Sequence, residues 1–269
     1  MKLNAITGLP RAGSTLLCNI LNQNPRFWAT STSPLPGILN GMVHNISNAV
    51  EVKSLLEKKK VETEQRITDS IQAFVETWYK QESREIIFDK SRAWSLNSLS
   101  LKKLYPDSKL IVMVRDLRNV FASIEKQHRK NPLLDDAQNA IQKTVFDRAN
   151  RMFSEQGLIG GPILGIEDLI RRKPPGVVYV QYESMAADPN GVFEKIYTEL
   201  DETLFEHDFE NIENTAEDPD GFYLHKFPHT GSGKVEASDP NEWRQYFSPD
   251  LANTIMNRFQ DYNRFFGYA

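Results

Sequence analysis

Gly8-Leu9-Pro10-Arg11-Ala12-Gly13-Ser14-Thr15 joins a short apolar run, Leu3 to Thr7, to a segment where Leu16, Leu17, Ile20 and Leu21 recur at helical spacing. The order is strand, glycine turn, helix. The turn has the spacing G-x-x-x-x-G-x-[ST] of a phosphate-binding loop, with Ser14 where the nucleotide hydrolases carry lysine. Its cation is Arg11 instead. Successive backbone N–H groups in such a turn, backed by the positive end of the helix dipole, make a concavity suited to an anion. The dipole contributes roughly 0.3–1 kcal/mol, whereas each hydrogen bond to a charged group adds about 1.5–3 kcal/mol, so direct contacts from the loop and Arg11 dominate. The plainer alternative is a glycine turn that only links strand to helix.

Outward from the loop, Asn24-Pro25 stops the first helix and Phe27-Trp28-Ala29 reads as a second strand before the Ser/Thr/Pro-rich stretch Thr30 to Pro36. Residues 37 to 83 read as helices, with Glu57 to Lys60 a solvated face. Ile86 to Phe88, Lys109 to Val114 and Val177 to Val180 are short, β-branched or aromatic runs of the kind found in buried strands. Strands alternating with helices predict an α/β fold of three layers, a central parallel sheet flanked by helices, of the phosphate-loop type. Asp116 can cap a helix to about Lys130, and Leu134, Ala137, Ile141, Val145, Ala149 and Met152 give a second helix one apolar side. Gly157 to Pro175 and Glu217 to Asp239 read as irregular excursions, and Ser248-Pro249 opens a closing helix with Leu251, Ile255, Phe259 and Tyr262 along one face. The expectation is a single domain over residues 1–269 with helical and loop insertions.

Composition narrows the function. With 32 Lys+Arg against 36 Asp+Glu the net charge is −4, which offers no cation excess for neutralising a nucleic-acid backbone. The 40% of apolar residues can fill a sizeable core. Cys18 is the one cysteine, so an internal disulfide framework and a cysteine-based zinc cluster are both excluded, which fits a reducing compartment. No run of about 18 apolar residues exists and no apolar leader precedes the glycine turn, so the expectation is a cytoplasmic protein that neither spans nor binds a membrane.

A second anion site lies in Arg115-Asp116-Leu117-Arg118-Asn119-Val120-Phe121-Ala122-Ser123. Arg115 falls at the carboxyl end of the strand Lys109 to Val114, where open α/β sheets bind ligands, and Ser123 follows two helical turns later. A surface arginine beside a capped helix is the plainer reading of this segment alone. Two anion sites on one sheet edge suit a nucleotide with phosphates at both ends of its ribose.

These residues carry a resemblance to the sulfotransferases that use 3′-phosphoadenosine 5′-phosphosulfate (PAPS), closest in pattern to the tyrosylprotein sulfotransferases and their bacterial relatives. Pro10-Arg11-Ala12-Gly13-Ser14-Thr15-Leu16 is similar to the family's 5′-phosphosulfate loop, with Arg11 beside the transferred group. Arg115 and Ser123 match the pair that holds the 3′-phosphate. In Asp89-Lys90-Ser91, Lys90 resembles the strand-end lysine that stabilises the sulfuryl group and the leaving oxygen. Tyr182-Glu183 resembles the Tyr-Glu pair near the nucleotide, and Ser232-Gly233-Lys234 before Trp243 the late loop that closes over the 3′-phosphate. The resemblance implies in-line transfer of the sulfuryl group to a hydroxyl or amine acceptor without a metal. The acceptor, whether small molecule, glycan or peptide, is not implied, nor is the oligomeric state.

The chain departs from the family pattern at the base. Tyrosylprotein sulfotransferases place a glutamate after the second strand, where this chain has Ala29-Thr30-Ser31-Thr32-Ser33-Pro34. Cytosolic small-molecule sulfotransferases place a histidine just after the strand-end lysine, where this chain has Arg92. His44 and Asp89 are therefore the base candidates, with His128 too far along its helix and His225 and His229 in an aromatic stretch that is either an acceptor lid or a packed loop. Two alternatives stay open: a phosphate-loop kinase of nucleotides or small molecules, which needs the loop lysine this chain lacks, and a nucleotide-binding module without catalysis.

Overall fold

In the computed structural model, residues 1–130, 144–216 and 231–268 are described. Five strands form one sheet: β1 (Lys2–Gly8), β2 (Phe27–Ala29), β3 (Ile86–Lys90), β4 (Leu110–Val114) and β5 (Val177–Gln181). Their order is β2-β3-β1-β4-β5 and every pairing is parallel. β3 and β4 are buried at every position, which is why Ile86-Ile87-Phe88 and Leu110 to Val114 read as unbroken apolar runs rather than alternating ones. At the edge, β5 alternates between buried and half-buried residues.

Parallel neighbours need crossovers, and helices supply them. Ser14–Leu21 joins β1 to β2, the three helices Leu35–Asn48, Val50–Lys58 and Lys60–Trp78 join β2 to β3, and Ser98–Leu104 lies between β3 and β4. Leu117–Lys130, Val145–Met152 and Gly160–Arg172 lie between β4 and β5. The connection leaving β1 runs toward β2, and the one leaving β4 runs toward β5. The carboxyl ends of β1 and β4, adjacent in the sheet, therefore bound the topological switch point, where such folds bind ligands.

Three expectations change. Gly157 to Pro175 is not an irregular excursion but contains the helix Gly160–Arg172. Gly160, Gly161 and Pro162 sit in the first turn, where a missing N–H costs nothing, while Ile163, Ile166 and Leu169 form a buried stripe. The closing helix is two helices, Pro249–Arg258 and Gln260–Phe266, broken at Phe259, where the backbone leaves the helical region (φ −121°, ψ 52°). Of the helix read from Leu134 to Met152, Val145–Met152 is helical and opened by a Thr144/Asp147 capping box; Leu134, Ala137 and Ile141 lie outside the described residues. The excursion Glu217 to Asp239 is described only from Gly231 onward, which leaves His225, His229 and their aromatic neighbours outside as well. No helix among the described residues is long and apolar enough to cross a membrane.

Below the first helix, His207 is buried against the rings of Phe193, Phe205, Phe209 and Tyr197, with Nε2 3.0 Å from the Tyr197 hydroxyl and Nδ1 3.3 Å from Gln23 Oε1. Burial lowers its pKa to about 4. The unfolded chain then binds more protons between about pH 6.5 and that value, so stability is lost as pH falls through this window, by up to roughly 3 kcal/mol. Thermal unfolding from pH 7 to 4.5 should show a smaller drop in Tm for His207→Gln than for the wild type; parallel curves would show that His207 does not couple protonation to folding.

Candidate functional site

The loop after β1 is shaped by two glycines. Gly8 has φ 141°, and a Cβ there would lie 2.1 Å from the Met113 carbonyl oxygen, which itself accepts the Leu9 N–H at 3.0 Å. Only glycine lets β1 turn away this close to β4. Gly13 has φ 82°, and a Cβ there would lie 2.7 Å from the Tyr182 ring. Between them Arg11 is held at φ 59°, a conformation uncommon outside glycine and concentrated at ligand-binding turns. The first helix starts at Ser14 with no side-chain cap, so its N-terminus opens onto the loop.

Residues distant in sequence meet on this loop. From the end of β3, the buried Lys90 ammonium donates to Thr15 Oγ1 at 3.0 Å. From the end of β4, Arg115 Nη1 donates to the Arg11 carbonyl oxygen at 2.8 Å, and Nη2 to Ser238 Oγ at 3.0 Å. Arg11 Nε donates to Ser123 Oγ at 3.1 Å. The Arg115 guanidinium lies 4.3 Å from the centre of the Tyr182 ring, a cation–π contact. Its backbone is clamped by Tyr262, whose hydroxyl accepts the Arg115 N–H at 3.1 Å and donates to the Arg115 carbonyl at 2.8 Å. The Arg115 Nε atom is buried without a hydrogen-bond partner. A buried donor left unpaired costs about 1–3 kcal/mol.

The walls enclose a cavity of about 470 Å³ lined by Leu9, Pro10, Arg11, Gly13, Ser14, Thr15, Leu16, Thr32, Lys90, Ser91, Arg92, Ala93, Arg115, Ser123, Tyr182 and Gly231. Four of these are cationic, and none of the described lining residues is a histidine or a carboxylic acid. Cations, hydroxyls and an open helix N-terminus make this a receptor for an anionic ligand.

Other expected residues lie elsewhere. Ala12 is fully buried beneath the loop. His44 is exposed on Leu35–Asn48, beside Asn48, and does not line the cavity; neither does His128. Asp89 is fully buried on the opposite side of β3 from Lys90, where Tyr79, Trp94 and Ser33 donate hydrogen bonds to it. Burial raises its pKa, and the same burial together with Asp89 pushes up that of Tyr79. Glu183 accepts from the Asp116 N–H at 3.1 Å and the Tyr268 hydroxyl at 2.8 Å, so it ties the corner after Arg115 to the chain's end. In the late loop, Gly233 exchanges two backbone hydrogen bonds of 2.8 Å with Ile212, Lys234 pairs with Glu210 at 2.6 Å, and Ser232 is exposed. That loop reaches the site instead through Gly231, whose carbonyl accepts from Asn19 at 2.8 Å, and through Ser238 on Arg115. Thr32 and Gly231 fall in the stretches Thr30 to His44 and Glu217 to Gly233 that sequence assigns to an acceptor pocket, whereas Ser91, Ala93 and Ser238 were not marked and could have been only by their position after a strand or in the late loop.

A family model described as "Sulfotransferase family" matches residues 5–207 of the chain. Among solved structures, the chain is similar to the sulfotransferase domain of the Synechococcus PCC 7002 olefin synthase, at 18% identity over 94% of each chain with a TM-score of 0.54. It is also similar to mouse sulfotransferase SULT7A1 complexed with PAP, at 14% identity over 98% of this chain and 84% of that one, TM-score 0.53. A third is retinol dehydratase in complex with retinol and PAP, at 15% identity over 98% of this chain and 82% of that one, TM-score 0.53. These likenesses establish a shared fold. No protein of curated function is detectably similar in sequence.

Proposed function

Because the chain belongs to the sulfotransferase family, we propose that the crevice between β1 and β4 binds PAPS and that the protein transfers its sulfuryl group to an acceptor hydroxyl or amine. The 3′-phosphate would lie against Arg115 and Ser123, and the phosphosulfate on the loop Pro10 to Leu16 beside Arg11 and Lys90. Bound there, PAPS supplies a sulfur at which the acceptor oxygen or nitrogen bonds as the bridging S–O bond breaks, its electron pair leaving with adenosine 3′,5′-bisphosphate and the acceptor's proton passing to solvent or a base.

The residues divide that work. Lys90 and Arg11 place positive charge where the bridging oxygen gathers negative charge, and the loop N–H groups add fixed dipoles. Arg115, stacked on Tyr182 and clamped by Tyr262, orients the nucleotide. The observation that carries the reading is the convergence on one glycine loop of Lys90, through Thr15, and Arg115, through Arg11. It also bears on the kinase alternative. The loop hydroxyl that binds Mg²⁺ in nucleotide hydrolases here accepts a hydrogen bond from an ammonium, which suits charge stabilisation by side chains. We place the protein in the cytoplasm on its single cysteine.

Calorimetry should show the 3′,5′-bisphosphate binding at least tenfold more tightly than ATP with Mg²⁺; equal or tighter ATP binding would overturn the assignment. Transfer of radiolabelled sulfuryl from PAPS to any member of an acceptor panel then separates an enzyme from a silent binding module.

A further inference from the structure

We infer that Asp89 is a positioning residue for sulfuryl transfer: from the far face of β3 its carboxylate gathers hydrogen bonds from three separate elements and thereby fixes the strand end that aims the Lys90 ammonium at the glycine loop. This rests on the part given to Lys90 above.

Alternation along β3 turns the two neighbours to opposite faces of the sheet, and Asp89 is fully buried and does not line the cavity. Its effect has to pass through the backbone. Lys90 ends the strand, and the loop after β2 holds it there: the Lys90 N–H donates to Thr30 Oγ1 at 2.7 Å, and the Lys90 carbonyl accepts the Ser33 N–H at 2.8 Å. Asp89 holds that loop from behind, because the Ser33 hydroxyl donates to its carboxylate. On the other side Trp94 Nε1 donates to Asp89 Oδ1 at 2.5 Å, and the Trp94 N–H closes the turn after β3 on the Ser91 carbonyl at 3.2 Å. The third donor is the hydroxyl of Tyr79, which directly follows the helix Lys60–Trp78 and bonds Asp89 Oδ2. Loop, turn and helix end are tied to one side chain, and Lys90 lies between the loop and the turn.

The chemistry of the group suits this role. All three donors are neutral, so none of them offsets the charge of a buried carboxylate, and an amide of the same shape would cost less to bury. The amide, however, accepts at only one of its two heads, whereas here both Oδ1 and Oδ2 receive protons and the Trp94 indole can only donate. What the carboxylate contributes is a fixed direction for each partner. Direction matters at this point, since a misplacement of about 1 Å at a reacting group costs on the order of 100-fold in rate.

The test is a double-mutant cycle in single turnover, with radiolabelled PAPS and whichever acceptor of the panel takes the label. Asp89→Asn is expected to slow transfer about 10- to 100-fold while leaving bisphosphate affinity, read by calorimetry, within about threefold, because Arg115 and the glycine loop hold the nucleotide. Made in Lys90→Met protein, the same substitution should cost less than about twofold, since no ammonium is left to aim. Tyr79→Phe, which keeps the carboxylate and removes one donor, should slow transfer about three- to tenfold and likewise lose its effect in Lys90→Met. An undiminished rate in Asp89→Asn would overturn the positioning role, and so would the same proportional slowing with and without Lys90, which is the pattern of a residue that only supports the fold. Should Asp89→Asn not fold, Tyr79→Phe is judged on the same two criteria. Wild-type protein that binds no bisphosphate, or transfers no label, overturns the reading of the site and this inference together, so the two failures are told apart.

Discussion

Replacing Lys90 by methionine should slow sulfuryl transfer by about 100- to 1000-fold, the roughly 2.7–4 kcal/mol typical of removing one preorganised donor from a developing oxyanion. Methionine keeps the apolar stem and approximate volume of a side chain that is 8% exposed, so packing beneath the loop is largely preserved. What disappears is the ammonium over Thr15. The loss should fall on kcat, with bisphosphate affinity changed less than about threefold, because the charge it answers is greatest as the bridging bond breaks. Arg11→Ala should cost a similar amount. Unchanged single-turnover rates in both variants would remove these two residues from the chemistry.

Arg115→Ala should have its effect in binding. A guanidinium buried on Tyr182 makes hydrogen bonds to charged partners worth about 1.5–3 kcal/mol each, so losing it should weaken adenosine 3′,5′-bisphosphate binding about 100-fold. The control is adenosine 5′-phosphate, which lacks the 3′ group and should lose far less affinity. Arg115→Lys should recover only part of the loss, since an ammonium restores charge but not the fork that now spans the Arg11 carbonyl and Ser238. Equal weakening of both nucleotides would show that Arg115 only supports the loop.

Both predictions use residues that sequence made visible, for a physical reason. A parallel sheet covered on both faces writes its strands as apolar runs, so all five were legible, and a residue directly after such a run has to lie at the carboxyl edge. Arg115 is located by that rule, whereas Lys90, two residues past its run, was marked by the resemblance of Asp89-Lys90-Ser91 to the family's strand-end lysine. Helices were less legible where composition pointed the other way, as at Gly160-Gly161-Pro162, where turn-forming residues occupy a helix's first turn. Contacts across long separations were not legible at all. Nothing in the sequence couples Ser238 to Arg115, or Tyr79 and Trp94 to Asp89, because these pairings arise only when separate crossovers pack together. Asp89 shows the cost. Beside Lys90 in sequence it looked like a base, but alternation along β3 sends it to the other face, into a closed hydrogen-bond network.

The Tyr262 hydroxyl grips the Arg115 backbone from 147 residues downstream. During synthesis the glycine loop, the strand-end lysine and even the arginine emerge long before the tyrosine that fixes the arginine's backbone. A domain generally folds as a unit, so a nascent chain carries a half-built cradle until Tyr262 docks. Capture of ligand thereby waits on Tyr262, and a chain cut short before that residue would keep the phosphate-loop signature while lacking its grip.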